Sequence, residues 1–104
     1  MNSKVKGDKF EQQMVSRLKD IFPYCQTCRY VGKLFLDNQK VDLSGTPGYY
    51  FQCKHQERTQ PYHEILKEMP DTNNTNVILH KRNNSGVVVV MELDDFLQLI
   101  KKAR

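Results

Sequence analysis

Two strand-like segments joined by a glycine-bounded turn constrain the fold of this chain more than any other feature. Residues 45–48 read Gly-Thr-Pro-Gly, and they lie between residues 40–44 and residues 49–54. Glycine and proline favour a tight turn, and the aromatic and β-branched residues on either side favour extended backbone. The pattern therefore predicts an antiparallel hairpin in the middle of the chain.

A helix is predicted before this hairpin. Apolar residues recur at steps of three and four from Phe10 to Ile21, which is the spacing of one face of an α-helix. Asp8 and Glu11 match the capping-box pattern that opens a helix, and Pro23 cannot continue one. We therefore expect the first helix over residues 8–22.

The other predicted elements are strands and helices connected by polar turns. They are strands at residues 30–35, 76–81 and 87–91, and helices at residues 61–69 and from residue 93 onward. Four consecutive valines at residues 87–90 predict a strand buried on both faces near the middle of the sheet. The expected order is α-β-β-β-α-β-β-α. The fold class is therefore α/β, with one domain over residues 1–104 and a mixed central sheet flanked by helices.

Composition excludes several classes of protein. The 104 residues carry a net charge of +4, with three cysteines and no long apolar run. An odd, small number of cysteines argues against a secreted disulfide scaffold, and the absence of an apolar run argues against a membrane protein. We therefore expect a cytoplasmic protein. Its basic excess weakly favours a polyanionic partner.

The predicted hairpin carries three polar groups that can meet at one point. Side chains alternate between the faces of a strand, so Gln52 and Lys54 point to the same side. Asp42 can lie beside them on the neighbouring strand. An acid, a carboxamide and an ammonium would then converge on an otherwise apolar hairpin.

This combination suits metal-assisted hydrolysis of a phosphodiester. Mg²⁺ prefers oxygen ligands, which the Asp42 carboxylate, the Gln52 side chain and the backbone carbonyl of Cys53 can supply. Lys54 can orient the attacking water or offset charge on the phosphorus. Glu11 can reach the same metal from the first helix. Asp42, Gln52, Lys54 and Glu11 are therefore the candidate catalytic residues.

These residues carry a resemblance to a known family. Phe10-Glu11 in the first helix, residues 41–43 (Val-Asp-Leu) and residues 51–54 (Phe-Gln-Cys-Lys) are similar to the motifs of the PD-(D/E)XK nuclease superfamily. Within it, the chain most resembles small Holliday-junction resolvase-like endonucleases of phages and archaea. Residues 77–84, the valine segment and residues 92–96 extend the similarity to the C-terminal half.

The resemblance implies a restriction-endonuclease-like core and an endonuclease that depends on Mg²⁺ or Mn²⁺. It also implies a homodimer that cuts two strands of branched DNA. The metal-ligand role carries over to Glu11, Asp42 and Gln52, and the catalytic-lysine role to Lys54. Two departures stand out: Val41 replaces the proline of the motif, and Gln52 replaces its second acid. The second removes one negative charge from the metal site.

Contacts with DNA are expected from basic residues outside the motif, because lysine and arginine neutralise phosphates. The candidates are Lys4, Lys6, Lys9, His55, Arg58, Lys81 and Arg82. The sequence does not choose among branched, nicked, flapped and duplex DNA. A non-catalytic nucleic-acid-binding protein with the same fold is the competing interpretation, since Gln52 would weaken metal binding.

Some of the same residues have plainer explanations. Glu11 can be a helix cap, Asp42 can pair with a lysine, and Gln52 and Lys54 can be a solvated strand face. Cys25 and Cys28 form a CxxC pair that, with Cys53 and His55, would suggest a zinc-stabilised binding module. The Cys-x-His spacing is tight for half of a zinc site, and the CxxC follows a helix, which disfavours redox chemistry.

Overall fold

A computed structural model describes residues 3–104, in which helices flank one mixed five-stranded sheet in an α/β arrangement. The helices are α1 (Ser3–Leu18), α2 (Leu34–Asp37), α3 (Tyr62–Glu68) and α4 (Leu93–Ala103). The strands are β1 (Gln26–Thr27), β2 (Leu43–Ser44), β3 (Tyr49–His55), β4 (Thr75–Lys81) and β5 (Val87–Val90). Within this range no helix is long and apolar enough to cross a bilayer.

The five strands lie in the order of the sequence, from β1 at one edge to β5 at the other. β3 and β4 run parallel, because α3 carries the chain back across the sheet between them, and the other neighbours are antiparallel. The predicted hairpin is confirmed, with Leu43 of β2 opposite Phe51 of β3. Its first strand is shorter than the predicted residues 40–44, because Lys40 has a φ of +67° and the strand begins only at Leu43. The predicted helix at residues 61–69 and the strand at residues 76–81 are confirmed with small changes in their bounds.

Apolar clusters cover both faces of β3, the central strand. Phe51 and Cys53 pack towards α1 with Phe10 and Met14. On the other face, Ile78 of the neighbouring strand belongs to a second cluster, which includes Leu36 of α2 and Ile65 of α3. Its other buried members lie outside these helices and are Cys28, Val41 and Met69. Since both faces are covered, every residue from Phe51 to Cys53 is buried, including the polar Gln52.

The first helix is shifted from its predicted position. α1 begins at Ser3 and ends at Leu18, so the predicted bounds of 8–22 are wrong at both ends. Asp8 and Glu11 are inside the helix and do not form a capping box. Both carboxylates instead bind Arg29. Gly7 is accommodated within the helix, a position that costs about 1 kcal/mol relative to alanine.

The predicted strand at residues 30–35 does not exist. The backbone turns at Gly32, where φ is +77°, and Leu34–Asp37 form α2, which buries Leu36. The strand that pairs with β2 lies earlier, at Gln26–Thr27. The observed order is therefore α-β-α-β-β-α-β-β-α, because a positive φ at Gly32 interrupts the extended run that the side chains favour.

The valine strand does not occupy the position that its sequence pattern predicts. β5 lies at the edge of the sheet and pairs with β4, not between two strands. Val88 is 53% exposed and Val89 is 62% exposed. The apolar composition of a strand indicates that it can be buried. The order of strands in the sheet decides whether it has a neighbouring strand on each side. The prediction of burial on both faces is wrong for the described chain.

The turn that joins β2 to β3 packs against the segment that follows α1. Gly45 has a φ of +74°, and a Cβ atom at this position would meet the backbone carbonyl of Tyr24. Gly48, in the same turn, has a φ of +89° but has open space where a Cβ would lie. Gly45 therefore fulfils two requirements, a left-handed backbone and a close approach to Tyr24, and Gly48 fulfils only the first.

Gly45→Ala should destabilise the domain by roughly 2 to 4 kcal/mol, because the new methyl group collides with backbone that cannot move away independently. Gly48→Ala is the matched control, and should destabilise it by only about 1 to 2 kcal/mol through its left-handed backbone. Urea denaturation of both variants measures the difference. Equal destabilisation would contradict the close packing of Gly45 on Tyr24.

Candidate metal and nucleic-acid site

Asp42 is fixed at the entrance to β2 by bonds to the segments on either side. Its N–H donates to the carbonyl of Phe51 at 2.8 Å, and its carbonyl accepts from the N–H of Cys28 at 2.8 Å. The side chain then turns towards β3, where Oδ2 accepts a hydrogen bond from the Cys53 N–H at 2.8 Å. The carboxylate therefore has one oxygen committed to β3, beside Gln52 and Lys54.

The environment of this carboxylate opposes its ionisation. Burial is the largest cause, and together with the negative charges of Glu11 and Asp37 it raises the pKa of Asp42 from 3.8 to about 7. The hydrogen bond from Cys53 and the charge of Lys54 act in the opposite direction but are weaker. Carboxyl groups with perturbed pKa values are concentrated at functional sites, and a cation bound to Asp42 would favour its ionised form.

Gln52 carries a buried amide group on β3, next to Cys53. The residue is only 6% exposed, and its Nε2 donates to the Cys53 carbonyl oxygen at 3.5 Å. The amide oxygen Oε1 has no hydrogen-bond partner among the described residues. Leaving a buried acceptor unpaired costs about 1 to 3 kcal/mol. A cation beside Oε1 would remove that cost.

Lys54 and Glu11 complete the set of candidate catalytic residues that the sequence predicted. Lys54 is half-buried near the end of β3, and its charge lowers the pKa of Asp42. The side chain of Glu11 is only 13% exposed. Desolvation raises the pKa of Glu11, although Arg29 opposes this effect. The charges of Glu11 and Lys54 therefore both act on Asp42, and Gln52 lies on the same strand as Lys54.

Arg29 is a member of this region that the sequence did not reveal. Its guanidinium lies 2.5 Å from Asp8 Oδ1 and 3.1 Å from Glu11 Oε1. These contacts exist because β1 ends at Thr27 and brings the following residues against α1. No propensity predicts a two-residue strand, so no sequence signal connects Arg29 with Glu11. Glu11 can bind a metal only if its carboxylate leaves Arg29 or contacts Arg29 and the metal together.

The donors in this region fit a small, hard cation. They are the Asp42 carboxylate, Gln52 Oε1, the Cys53 carbonyl and, on exchange with Arg29, the Glu11 carboxylate. Across residues 3–104 no three His, Cys, Asp or Glu side chains converge as a metal site. The donor set is thus poor in acids and contains two uncharged oxygens. Mg²⁺ suits such a set, because it commonly keeps several water ligands and takes one or two carboxylates.

Four of the seven predicted DNA-binding residues line one basic cleft of about 410 Å³. Lys6 and Lys9 come from α1, His55 ends β3 and Lys81 ends β4. The parallel register places His55 directly opposite Lys81. Residues from three elements therefore form a positively charged surface that no single sequence segment shows.

The cleft is ordered by contacts of His55. Its ring packs on Phe10 with centroids 5.6 Å apart, and Nε2 lies 3.1 Å from Asn83 Oδ1. Phe10, Gln13 and Asn83 also line the cleft, and no sequence signal selected Gln13 or Asn83. The cleft is on the α1 side of β3, whereas Lys54 points to the opposite side of the same strand end.

The other predicted phosphate contacts lie elsewhere. Lys4, Arg58 and Arg82 are exposed and are not among the residues that line the basic cleft. Arg82 Nη2 lies 3.5 Å from Thr59 Oγ1, a contact that joins the loops after β3 and β4. The structure therefore separates the predicted cationic residues into a converging group and a dispersed group.

The cysteines do not form a common site. Cys25 packs in the apolar cluster under α1, whereas Cys28 packs in the cluster under α2 and α3. Desolvation is the main reason that the pKa of Cys28 rises to about 12, and burial also raises the pKa of Cys25 and of Cys53. All three thiols are buried and free. They therefore act as small apolar core residues in this structure.

Comparisons with known proteins give no independent guide to this site. No protein-family model, no curated protein and no solved structure matches the chain.

Asp42→Asn should stabilise the metal-free protein at high pH. The pKa of Asp42 in the folded state lies above its usual value. Its contribution to folding stability is therefore fully present below about pH 4, where the carboxyl is protonated in both the folded and the unfolded state. It is lost as pH rises through about 7. The gain should be on the order of 2 to 4 kcal/mol at pH 8 and close to zero at pH 4.

The measurement is thermal and urea denaturation in EDTA at both pH values. Asp20→Asn, at an exposed carboxylate just beyond α1, is the control for removal of a surface carboxylate. An equal effect of the two substitutions at pH 8 would show that Asp42 does not carry an unfavourable buried charge.

Proposed function

We propose that this chain is a metal-dependent DNA endonuclease of the PD-(D/E)XK type, acting on branched DNA such as a four-way junction. The observation that carries the proposal is the Asp42 carboxylate, which is desolvated and bound to the Cys53 N–H of β3. Its neighbours on that strand are Gln52, whose buried amide oxygen has no partner among the described residues, and Lys54. The oxygen and the carboxylate are costly for the metal-free fold, and all three groups have a function in phosphodiester hydrolysis.

The arrangement of elements also supports a restriction-endonuclease-like core. α1 is followed by the antiparallel strands β1, β2 and β3, and then by α3 and the parallel strand β4. This order agrees with the α-β-β-β-α-β framework that the resemblance implies, with the short helix α2 inserted between its first two strands. The candidate motif lies on β3 and at the start of β2, in agreement with that framework.

The acid and amide oxygens would hold Mg²⁺ or Mn²⁺ in this mechanism. The bound ion would supply charge that polarises the scissile phosphate and lowers the pKa of the attacking water. Asp42 would contribute the carboxylate oxygen that does not accept from Cys53. Gln52 would contribute an oxygen that has no hydrogen-bond partner among the described residues. Glu11 would add a second carboxylate if it left its ion pair with Arg29.

Lys54 would act on the reacting atoms themselves. Its ammonium group can orient the water for attack and offset the negative charge that develops on the phosphate oxygens. Since Lys54 is half-buried, this charge is less screened by solvent than that of a surface lysine. The ammonium is close enough to Asp42 to lower its pKa, and this proximity to a proposed metal ligand supports the role.

The basic cleft would hold the DNA backbone beside this centre. Lys6, Lys9 and Lys81 can contact phosphates without reading bases, which suits an enzyme that recognises DNA shape. The cleft and Lys54 lie on opposite sides of one strand end, so a backbone that crosses this end can meet both. Branched DNA offers two backbones that diverge at a sharp angle, and this geometry favours it as substrate.

One observation favours a second candidate, a non-catalytic DNA-binding protein with the same fold. Gln52 occupies the position where the resemblance implies an acid. Restoring the acid with Gln52→Glu distinguishes the two proposals. A working glutamine site should change its cleavage rate only modestly, whereas a degenerate site should gain cleavage that the wild-type chain lacks.

Lys54→Ala should lower the cleavage rate of a labelled four-way junction by roughly 100-fold or more in Mg²⁺. Lys67→Ala, an exposed lysine on α3, is the matched control and should retain the wild-type rate. Linear duplex, nicked, flapped and single-stranded DNA are tested in parallel, each with Mg²⁺, Mn²⁺ or EDTA. Thermal denaturation of each variant confirms that it is folded.

Cleavage of every DNA form would retain the nuclease and reject the preference for junctions. Absence of cleavage with either metal, together with salt-sensitive binding, would reject the nuclease in favour of the DNA-binding protein. A Lys54→Ala variant with the wild-type rate would remove Lys54 from the mechanism.

Replacing both Lys9 and Lys81 with alanine should weaken junction binding and make it less sensitive to salt. Removing one phosphate contact should reduce the slope of log affinity against log salt by about 1, so the double variant should reduce it by about 2. Binding is measured in EDTA by fluorescence anisotropy. The double variant of Lys67 and Lys102 is the control, because neither residue lines the cleft, and an equal decrease there would reject the cleft as the binding surface.

A further inference from the structure

The last helix carries an apolar stripe that nothing in the described chain covers. Leu93, Phe96, Leu97 and Ile100 are between 40% and 67% exposed, and their spacing of i, i+3, i+4 and i+7 places them on one face. No residue of α4 is buried. Its half-buried residues are Asp95 and Leu99, which are four positions apart and mark the side that faces the domain.

This stripe continues onto the edge of the sheet. Val89 of β5 is 62% exposed. An apolar groove of about 570 Å³ runs between this strand and the helix, lined by Val89, Val90, Met91, Leu93, Phe96 and Leu99. A helix of 11 residues is marginal in water without packing. An edge strand with exposed valines is likewise unfavourable unless it is covered. Both features require the same partner surface.

The charges that flank the stripe are self-complementary. Asp94 and Lys101 lie at opposite ends of α4. They are seven residues apart, so both lie on the same flank of the apolar stripe. When two such helices pair antiparallel through their stripes, the same flank of each helix faces the other. The N-terminal end of one flank then lies next to the C-terminal end of its partner. Asp94 of each copy then lies opposite Lys101 of the other. A parallel pairing would bring the acidic ends together.

We propose that two copies of this chain associate through β5 and the stripe of α4, with the two α4 helices antiparallel about a two-fold axis. A stable interface buries about 800 Å² on each partner, which requires the strand and the helix together. The two-fold axis makes each contact occur twice, so the dimer contains two ion pairs, each between Asp94 of one copy and Lys101 of the other. This proposal does not depend on the nuclease activity.

The first test is the mass of the protein in solution by light scattering and sedimentation at several concentrations. Wild type should have twice the 12.2 kDa mass of the chain. Leu97→Lys should raise the dimer dissociation constant by about 10- to 100-fold, because it places a charge in the middle of an apolar interface. Gln98→Lys, on the far side of α4, is the control and should remain dimeric. A wild-type monomer, or equal behaviour of the two variants, would overturn the proposal.

The second test addresses the antiparallel pairing. Asp94→Lys and Lys101→Glu should each weaken self-association, because each places like charges opposite one another. An equimolar mixture of the two variants should restore the dimer, since every flanking pair is then opposite in charge. Lys102→Glu changes the charge of the same helix end away from the stripe, and should leave the dimer intact. Far-UV circular dichroism confirms that α4 is retained. A mixture no more dimeric than its components would falsify the antiparallel arrangement.

Discussion

The hydrogen bond between the Cys53 N–H and Asp42 Oδ2 determines the geometry of the candidate site. At 2.8 Å it fixes a carboxylate from the entrance of β2 against the central strand, where solvent can stabilise its charge only partly. Glu11 and Asp37 add repulsion. The fold therefore holds an unfavourable charge against β3, the strand on which the buried amide oxygen of Gln52 has no partner among the described residues. Such local costs, supported by the surrounding packing, are typical of functional sites.

The packing that tolerates these costs comes from β3, which is covered on both faces. Phe51 and Cys53 are held by the α1 cluster, so the side chains between and after them have defined directions. The loop that follows β3 is secured by His80, whose Nδ1 lies 2.6 Å from Tyr62 Oη and whose Nε2 donates to the Gln56 carbonyl at 2.7 Å. Lys54 and His55 therefore lie at the end of a strand whose position is fixed by packing and hydrogen bonds.

Much of the fold was predictable because its central elements have strong local patterns. The turn at residues 45–48, the helix before Pro70 and the hairpin at residues 83–86 all follow from glycine, proline and asparagine at positions with special backbone requirements. The strand predicted at residues 30–35 was wrong because the residues around Gly32 favour extended backbone, whereas the positive φ of Gly32 turns the chain. The short strand β1 is formed by its pairing with β2, and its own residues show no preference for it.

The sequence by itself determined which chemical groups the candidate site contains, since alternation along one strand places Gln52 and Lys54 on one side. It also determined the charged, amphipathic character of α4. Only the tertiary structure decided that Arg29 binds Glu11, that lysines from α1 and β4 share one cleft, and that the valine strand is at an edge. The physical reason is that periodicity describes the direction of a side chain within its own element. Its partners, its desolvation and its pKa depend on which other elements the chain packs against it.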